Sequence, residues 1–225
     1  METLSVGFLL AISAASATLI GWALIALKKN ISEKFVAFAL LLVAGAMIAV
    51  SLGQILPATI EANLSFYEIL LWLIIGTALV FLLTRTDDQI ANEKKRLKNS
   101  SWIIMIAIAL HNFPEGMAPI ASTLVDFKTG LTTAIILALH NIPEGLAIAA
   151  TARLAGYSVS KAFYFTAIAT LAEILGAVTV YVFGGGFDEI STARLLALVA
   201  GIMITISGKE LIPYSSRILL RERKR

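Results

Sequence analysis

The chain contains only two histidines, and each opens the same pattern. His111-Asn112-Phe113-Pro114-Glu115-Gly116 and His140-Asn141-Ile142-Pro143-Glu144-Gly145 lie 29 residues apart within long apolar runs. In a helix, residues i and i+4 share a face, so His111 with Glu115 and His140 with Glu144 each form a two-ligand clip. Two antiparallel helices facing each other would offer two imidazoles and two carboxylates. That set suits a tetrahedral zinc or, with water, six-coordinate divalent iron or manganese. Asn112 and Asn141 stand about 100° further round the helix and extend the set toward a second, more oxygen-rich site bridged by Glu115 and Glu144. The competing explanation is a polar network that only holds two helices together. Ionisable groups at mid-bilayer are costly, and packing alone is served by Ser or Ala, so the doubled motif points to function.

Further polar residues fall near this motif. Pro114 and Pro143 each lack an N–H and free the carbonyl of Leu110 or Leu139, which kinks the helix where the ligands are. Gly116 and Gly145 allow close helix approach. Glu173 lies mid-span with Thr166 and Thr170 at helical spacing, a polar stripe that offers a third carboxylate or, alternatively, a protonated helix contact. Glu210 beside Lys209 reads equally as a local ion pair or an exit-site ligand, and Gln54 and Glu61 read as interfacial.

The elements that must position these residues follow from composition. Of 225 residues 58% are hydrophobic and only 15% charged, and mean hydropathy is +0.86, far too apolar for a soluble domain, where roughly a quarter of residues are charged. The chain belongs in lipid. Cysteine is absent, which excludes disulfides, thiolate zinc sites, iron–sulfur clusters and a cysteine nucleophile. Any metal must meet N or O ligands. A crossing helix needs about 20 apolar residues. Seven windows qualify or nearly do: Val6–Leu27, Phe35–Leu56, Leu64–Thr84, Trp102–Leu124, Leu131–Ala152, Ala162–Phe183 and Leu195–Ile212. The first lacks a preceding basic stretch and is read as a span, not a signal peptide. An all-α integral membrane fold of one domain, 1–225, is expected, because long apolar runs without alternation suit helices rather than a barrel.

Charge sets orientation. Lys28, Lys29, Lys34, Arg85, Lys94, Lys95, Arg96, Lys98, Arg153, Lys161 and the tail from Arg217 to Arg225 fall on one side, against Lys128 and Arg194 on the other. The N-terminus is therefore expected outside and the C-terminus inside, with a polar cytoplasmic connector at about 85–100 and a basic cytoplasmic tail at about 214–225. This topogenic role also accounts for the net charge of +3, so nucleic acid is not expected as a partner. A fainter repeat joins the second and seventh windows: Gly45, Met47, Ile48, Ser51, Gln54 and Pro57 match Gly201, Met203, Ile204, Ser207, Glu210 and Pro213. Those windows run in opposite directions, as in inverted-repeat transporters, although a shared Gly/Ser packing face would give the same pattern.

The paired hexapeptides and the closing Glu210-Leu211-Ile212-Pro213 resemble the signatures of the ZIP (Zrt-/Irt-like) metal transporters, most of all the bacterial zinc-uptake branch. The resemblance covers nearly the whole chain. It implies a carrier of divalent metal into the cytosol, with no cofactor and with Zn2+, Fe2+, Mn2+, Co2+ or Cd2+ as cargo. It also implies a homodimer in the plasma membrane and alternating access. One metal site would use His111, Glu115, His140 and Glu144, and a second Asn112, Glu115, Asn141, Glu144 and Glu173. The family is built as three helices, two helices and three inverted helices. Here only Tyr214–Leu220 and basic residues follow the seventh window, so no eighth span is evident, through truncation or a seven-helix variant.

Two other classes use the same residues. An intramembrane metallohydrolase would hold a zinc-bound water, but H-E-x-x-H is missing and a symmetric doubled motif suits a carrier better than one reacting centre. No enzyme activity is expected. A cation channel or proton-coupled carrier would use the carboxylates as relays and would show flux without transition metal. Metal binding should weaken in acid, since protons compete for the imidazoles.

Overall fold

The computed structural model describes residues 2–28, 31–84, 93–183 and 189–223. Among them every regular element is helical: α1 (Glu2–Ala26), α2 (Glu33–Val50), α3 (Leu56–Glu61), α4 (Phe66–Thr84), α5 (Glu93–Glu115), α6 (Ala118–Val125), α7 (Phe127–Leu154), α8 (Val159–Phe183), α9 (Glu189–Ile206) and α10 (Ile212–Arg223). π-helical turns at Ser51–Ile55 and Ser207–Leu211 join α2 to α3 and α9 to α10. Six continuous paths are long and apolar enough to cross a membrane, and Phe66–Leu82 adds a shorter apolar seventh. Lipid offers backbone groups no hydrogen-bond partner, so each path satisfies its own. All seven expected spans fall on helix.

Two expected boundaries move. Residues 85–92 of the expected connector lie outside the described residues, and from Glu93 the chain is helical, so α5 absorbs the rest. Ser100 and Ser101 are already buried there, and the Glu/Lys/Arg/Leu run before them favours helix. The expected tail at 214–225 is likewise helical to Arg223. Tyr214, Ser215 and Ile218 form a buried stripe facing α2 while Arg217 and Arg221 stay exposed, an amphipathic pattern that carries the last helix onward. Residues 224 and 225 lie outside the described residues.

Caps and prolines shape the helices that carry the motif. Asp126 caps α7, accepting from the N–H and hydroxyl of Thr129 at 2.9 and 2.6 Å. Those two donors hold its carboxyl below the usual range. The two motif prolines behave differently. After Pro114 α5 ends at Glu115, turns through Gly116 and Met117, and restarts as α6, with Pro119 in its first turn. Pro143 sits inside α7, which continues for 11 more residues as helix to Leu154.

The repeat of the second and seventh windows is visible in space. The hydroxyls of Ser51 and Ser207 each donate to their own preceding turn, Met47 O and Met203 O, at 2.7 Å. Each also reaches the other helix's methionine: Ser51 Oγ lies 3.7 Å from Met203 Sδ, and Ser207 Oγ 3.8 Å from Met47 Sδ. The two helices thus cross antiparallel, with a local two-fold relation and with a π turn at the same place in both.

Candidate metal centre

Three helices deliver the predicted ligands to one buried place. α5 carries His111, Asn112 and Glu115, α7 carries His140, Asn141 and Glu144, and α8 carries Glu173. His111, Asn112, Asn141, Glu144 and Glu173 are fully buried, Glu115 nearly so, and the His140 side chain is 8% exposed. One ligand atom from each of His111, Glu115, His140 and Glu144 lies within 4.8 Å of every other. Among the described residues this is the His/carboxylate cluster that stands out as able to hold an ion.

The helices close in on this place because glycine lets them. Gly116 has no room for a Cβ against the carbonyl of Glu173, and Gly176 has none against that of Phe113. The second copy is held the same way by α1, with Gly145 against the carbonyl of Thr18 and Gly21 against that of Ile142. α8 therefore clamps the first motif as α1 clamps the second. This correspondence is also in the sequence, where Ala17-Thr18-Leu19-Ile20-Gly21 parallels Ala172-Glu173-Ile174-Leu175-Gly176.

Glu144 is the hub. Its Oε1 stands 2.7 Å from His111 Nε2 and 2.9 Å from His140 Nε2, while Glu115 Oε1 is 3.7 Å from His140 Nε2. His111 Nδ1 faces the carbonyl of Ala107 at 3.1 Å. A carbonyl only accepts, so Nδ1 carries the proton and Nε2 of the neutral ring turns a lone pair toward Glu144. Two lone pairs at 2.7 Å require a cation between them, either a proton or a metal ion. With its amide nitrogen toward the helix, Asn112 donates to Ile108 O at 2.8 Å and to Glu144 Oε2 at 3.1 Å. Asn141 Nδ2 donates to both oxygens of Glu173 at 2.9 Å and to Ala14 O at 3.0 Å.

The donor set fits a divalent cation on an independent criterion. Glu115 Oε2 and Asn141 Oδ1 are buried and make no hydrogen bond, and such orphans are costly unless something electropositive meets them. Ligand atoms around a tetrahedral zinc lie about 3.3 Å from one another, from bonds of about 2.0 Å. Three of the pairs stand at 2.7, 2.9 and 3.7 Å, on either side of that spacing, and all four atoms lie within 4.8 Å of one another. A cavity of about 280 Å³ is lined by Gln54, Thr133, Leu137, Pro114 and Glu115, so one carboxylate of the cluster borders open space.

The remaining predicted residues separate cleanly. Glu173 joins the cluster through Asn141. Thr166 and Thr170 are buried below it, but their hydroxyls donate to Ala162 O and Thr166 O, so those protons are engaged along α8. Gln54 is exposed to the cavity. Glu210 stands apart, 3.6 Å from Lys209 Nζ, which also donates to Thr84.

A family model described as ZIP zinc transporter matches residues 83–224, the stretch holding both motif copies, Glu173 and the Gly201–Pro213 pattern. The zinc transporter ZupT of Escherichia coli O127:H6 is 35% identical over 96% of this chain and 88% of its own length. ZupT of Escherichia coli O7:K1 and of Salmonella paratyphi A are each 34% identical over 96% of this chain, with 88% of their own lengths covered. Given a family match over most of its length and relatives that align nearly end to end, this integral membrane chain belongs to the ZIP zinc transporter family, and it is a transporter rather than an enzyme.

Proposed function

We propose that the chain carries zinc, and with it iron or manganese, into the cytosol by alternating access through the His111, Glu115, His140 and Glu144 cluster. The observation that supports this most is the convergence of four ligand atoms within 4.8 Å beside a cavity that Glu115 lines, with two buried oxygens left without partners. A hydrated cation would come through that cavity and exchange waters for Glu115 first. It would then settle against Glu144 and the two imidazoles, leaving inward after the helices around the cluster shift. Asn112, Asn141 and Glu173 would serve the adjoining oxygen-rich site, with Glu115 and Glu144 shared. A homodimer in the plasma membrane belongs to the same proposal, as does an orientation with the N-terminus outside and the C-terminus inside, which the Lys/Arg distribution supports. The test is zinc and iron uptake into proteoliposomes holding the full chain beside the double variant H140A/E144A. Saturable uptake that the variant loses is the expected result. Equal uptake by the variant, or flux that needs no transition metal, would favour a channel or proton-coupled carrier instead.

A further inference from the structure

Beside the centre, Thr18 carries a buried hydroxyl that is left over. Other buried hydroxyls turn back on the carbonyl three or four residues earlier, as those of Thr123, Thr151, Thr166, Thr170 and Ser207 do. Thr18 is fully buried and its Oγ1 makes no hydrogen bond. Its natural acceptor, Ala14 O, is already taken. That carbonyl has two lone pairs: the helix N–H of Thr18 uses one, as in any α-helix, and Asn141 Nδ2 uses the other at 3.0 Å. Thr18 also holds a particular position. Its carbonyl lies on Gly145 as that of Glu173 lies on Gly116, so Thr18 is the uncharged counterpart of Glu173 in the paired clamps.

Resting on the metal-centre proposal above, we infer that Thr18 is a positioning residue whose hydroxyl exchanges with the Asn141 amide at Ala14 O. Without metal, Asn141 holds Ala14 O and the Thr18 hydroxyl has no partner. When Asn141 turns its orphaned Oδ1 to a cation, Nδ2 leaves Ala14 O and the Thr18 hydroxyl takes the vacated lone pair. The unpaired hydroxyl burdens the metal-free state and is relieved in the bound one, so α1 contributes to metal affinity without touching the ion. One net hydrogen bond corresponds to roughly a two- to tenfold change in affinity.

Thr18→Val keeps the shape and removes the hydroxyl. The full chain in detergent is titrated with zinc against a chelating dye and melted without metal, as wild type, T18V, T18S, N141A, T18V/N141A and H140A/E144A. T18V is expected to melt at or above the wild-type temperature without metal, because an unsatisfied buried group is gone, yet to bind zinc roughly two- to tenfold more weakly. T18S should keep wild-type affinity, and T18V should have no further effect once Asn141 is alanine. A simple packing role would move melting and leave affinity unchanged. Unaltered zinc affinity in T18V while H140A/E144A loses binding overturns the Thr18 inference alone, as does an undiminished T18V effect in the N141A background. Full binding by H140A/E144A overturns the metal-centre proposal and this inference with it.

Discussion

The two hexapeptides are nearly the same sequence, yet the molecule uses them differently. In the first copy the helix ends at Glu115 and turns, and the carboxylate faces a cavity with one oxygen unpaired. In the second the helix runs unbroken through Pro143, and Glu144 is fully enclosed between both imidazoles and the Asn112 amide. The clamps differ too: α8 brings an acid, Glu173, against the first copy and α1 a threonine against the second. The repeat gives two matched sets of side chains, and unequal surroundings give them unequal contacts. One carboxylate lines a cavity, and the other lies between the two histidines.

That asymmetry can be broken most severely at the hub. Glu144→Gln should lower zinc affinity and uptake by roughly 100-fold and Glu115→Gln by roughly tenfold, since Glu144 meets both histidines and Glu115 only one. Parallel dye titration and vesicle uptake would check this, and equal losses would mean that the two copies ligate alike. A smaller effect concerns the clamps. Neither Gly145 nor Gly116 has room for a Cβ, but the chain beside Gly116 already turns and can shift, whereas α7 is continuous. Overpacking of this kind costs about 1 to 3 kcal/mol, so Gly145→Ala should fall at the top of that range and Gly116→Ala at the bottom, read by melting in detergent. Identical shifts would show that the break in α5 gives no slack.

The smallest effect belongs to the cap of the second copy's helix. Thr129 lowers the Asp126 carboxyl below its usual range, so its contribution is present at neutral pH and fades as pH falls through that lowered value. Asp126→Asn should therefore lower the melting temperature slightly at pH 7 and have a diminishing effect in acid. A difference that grows on acidification would reverse the sign of the linkage.

Much of this was legible in the chain before any coordinates. Apolar runs of membrane length, the Lys/Arg asymmetry and two His-Asn-x-Pro-Glu-Gly copies are local patterns. In lipid the backbone must satisfy its own hydrogen bonds, which long apolar runs without alternation do as helix, and i, i+4 spacing puts His and Glu on one face of it. The helical ends at 93–100 and 214–223 were not legible as helix, because their polarity reads as solvent-exposed until Ser101, Tyr214 and Ile218 find a core to pack against. Nor could the sequence say that Pro114 would end a helix and Pro143 would not. Both remove one N–H, and only the neighbours on each side decide whether the chain turns or is held straight. The pairing across helices was likewise a tertiary matter: Glu144 with both histidines, Asn141 with Glu173 and Ala14, and Thr18 left without an acceptor. A carbonyl has two lone pairs and an amide two protons, and which groups reach them depends on distances between helices that no spacing along the chain records.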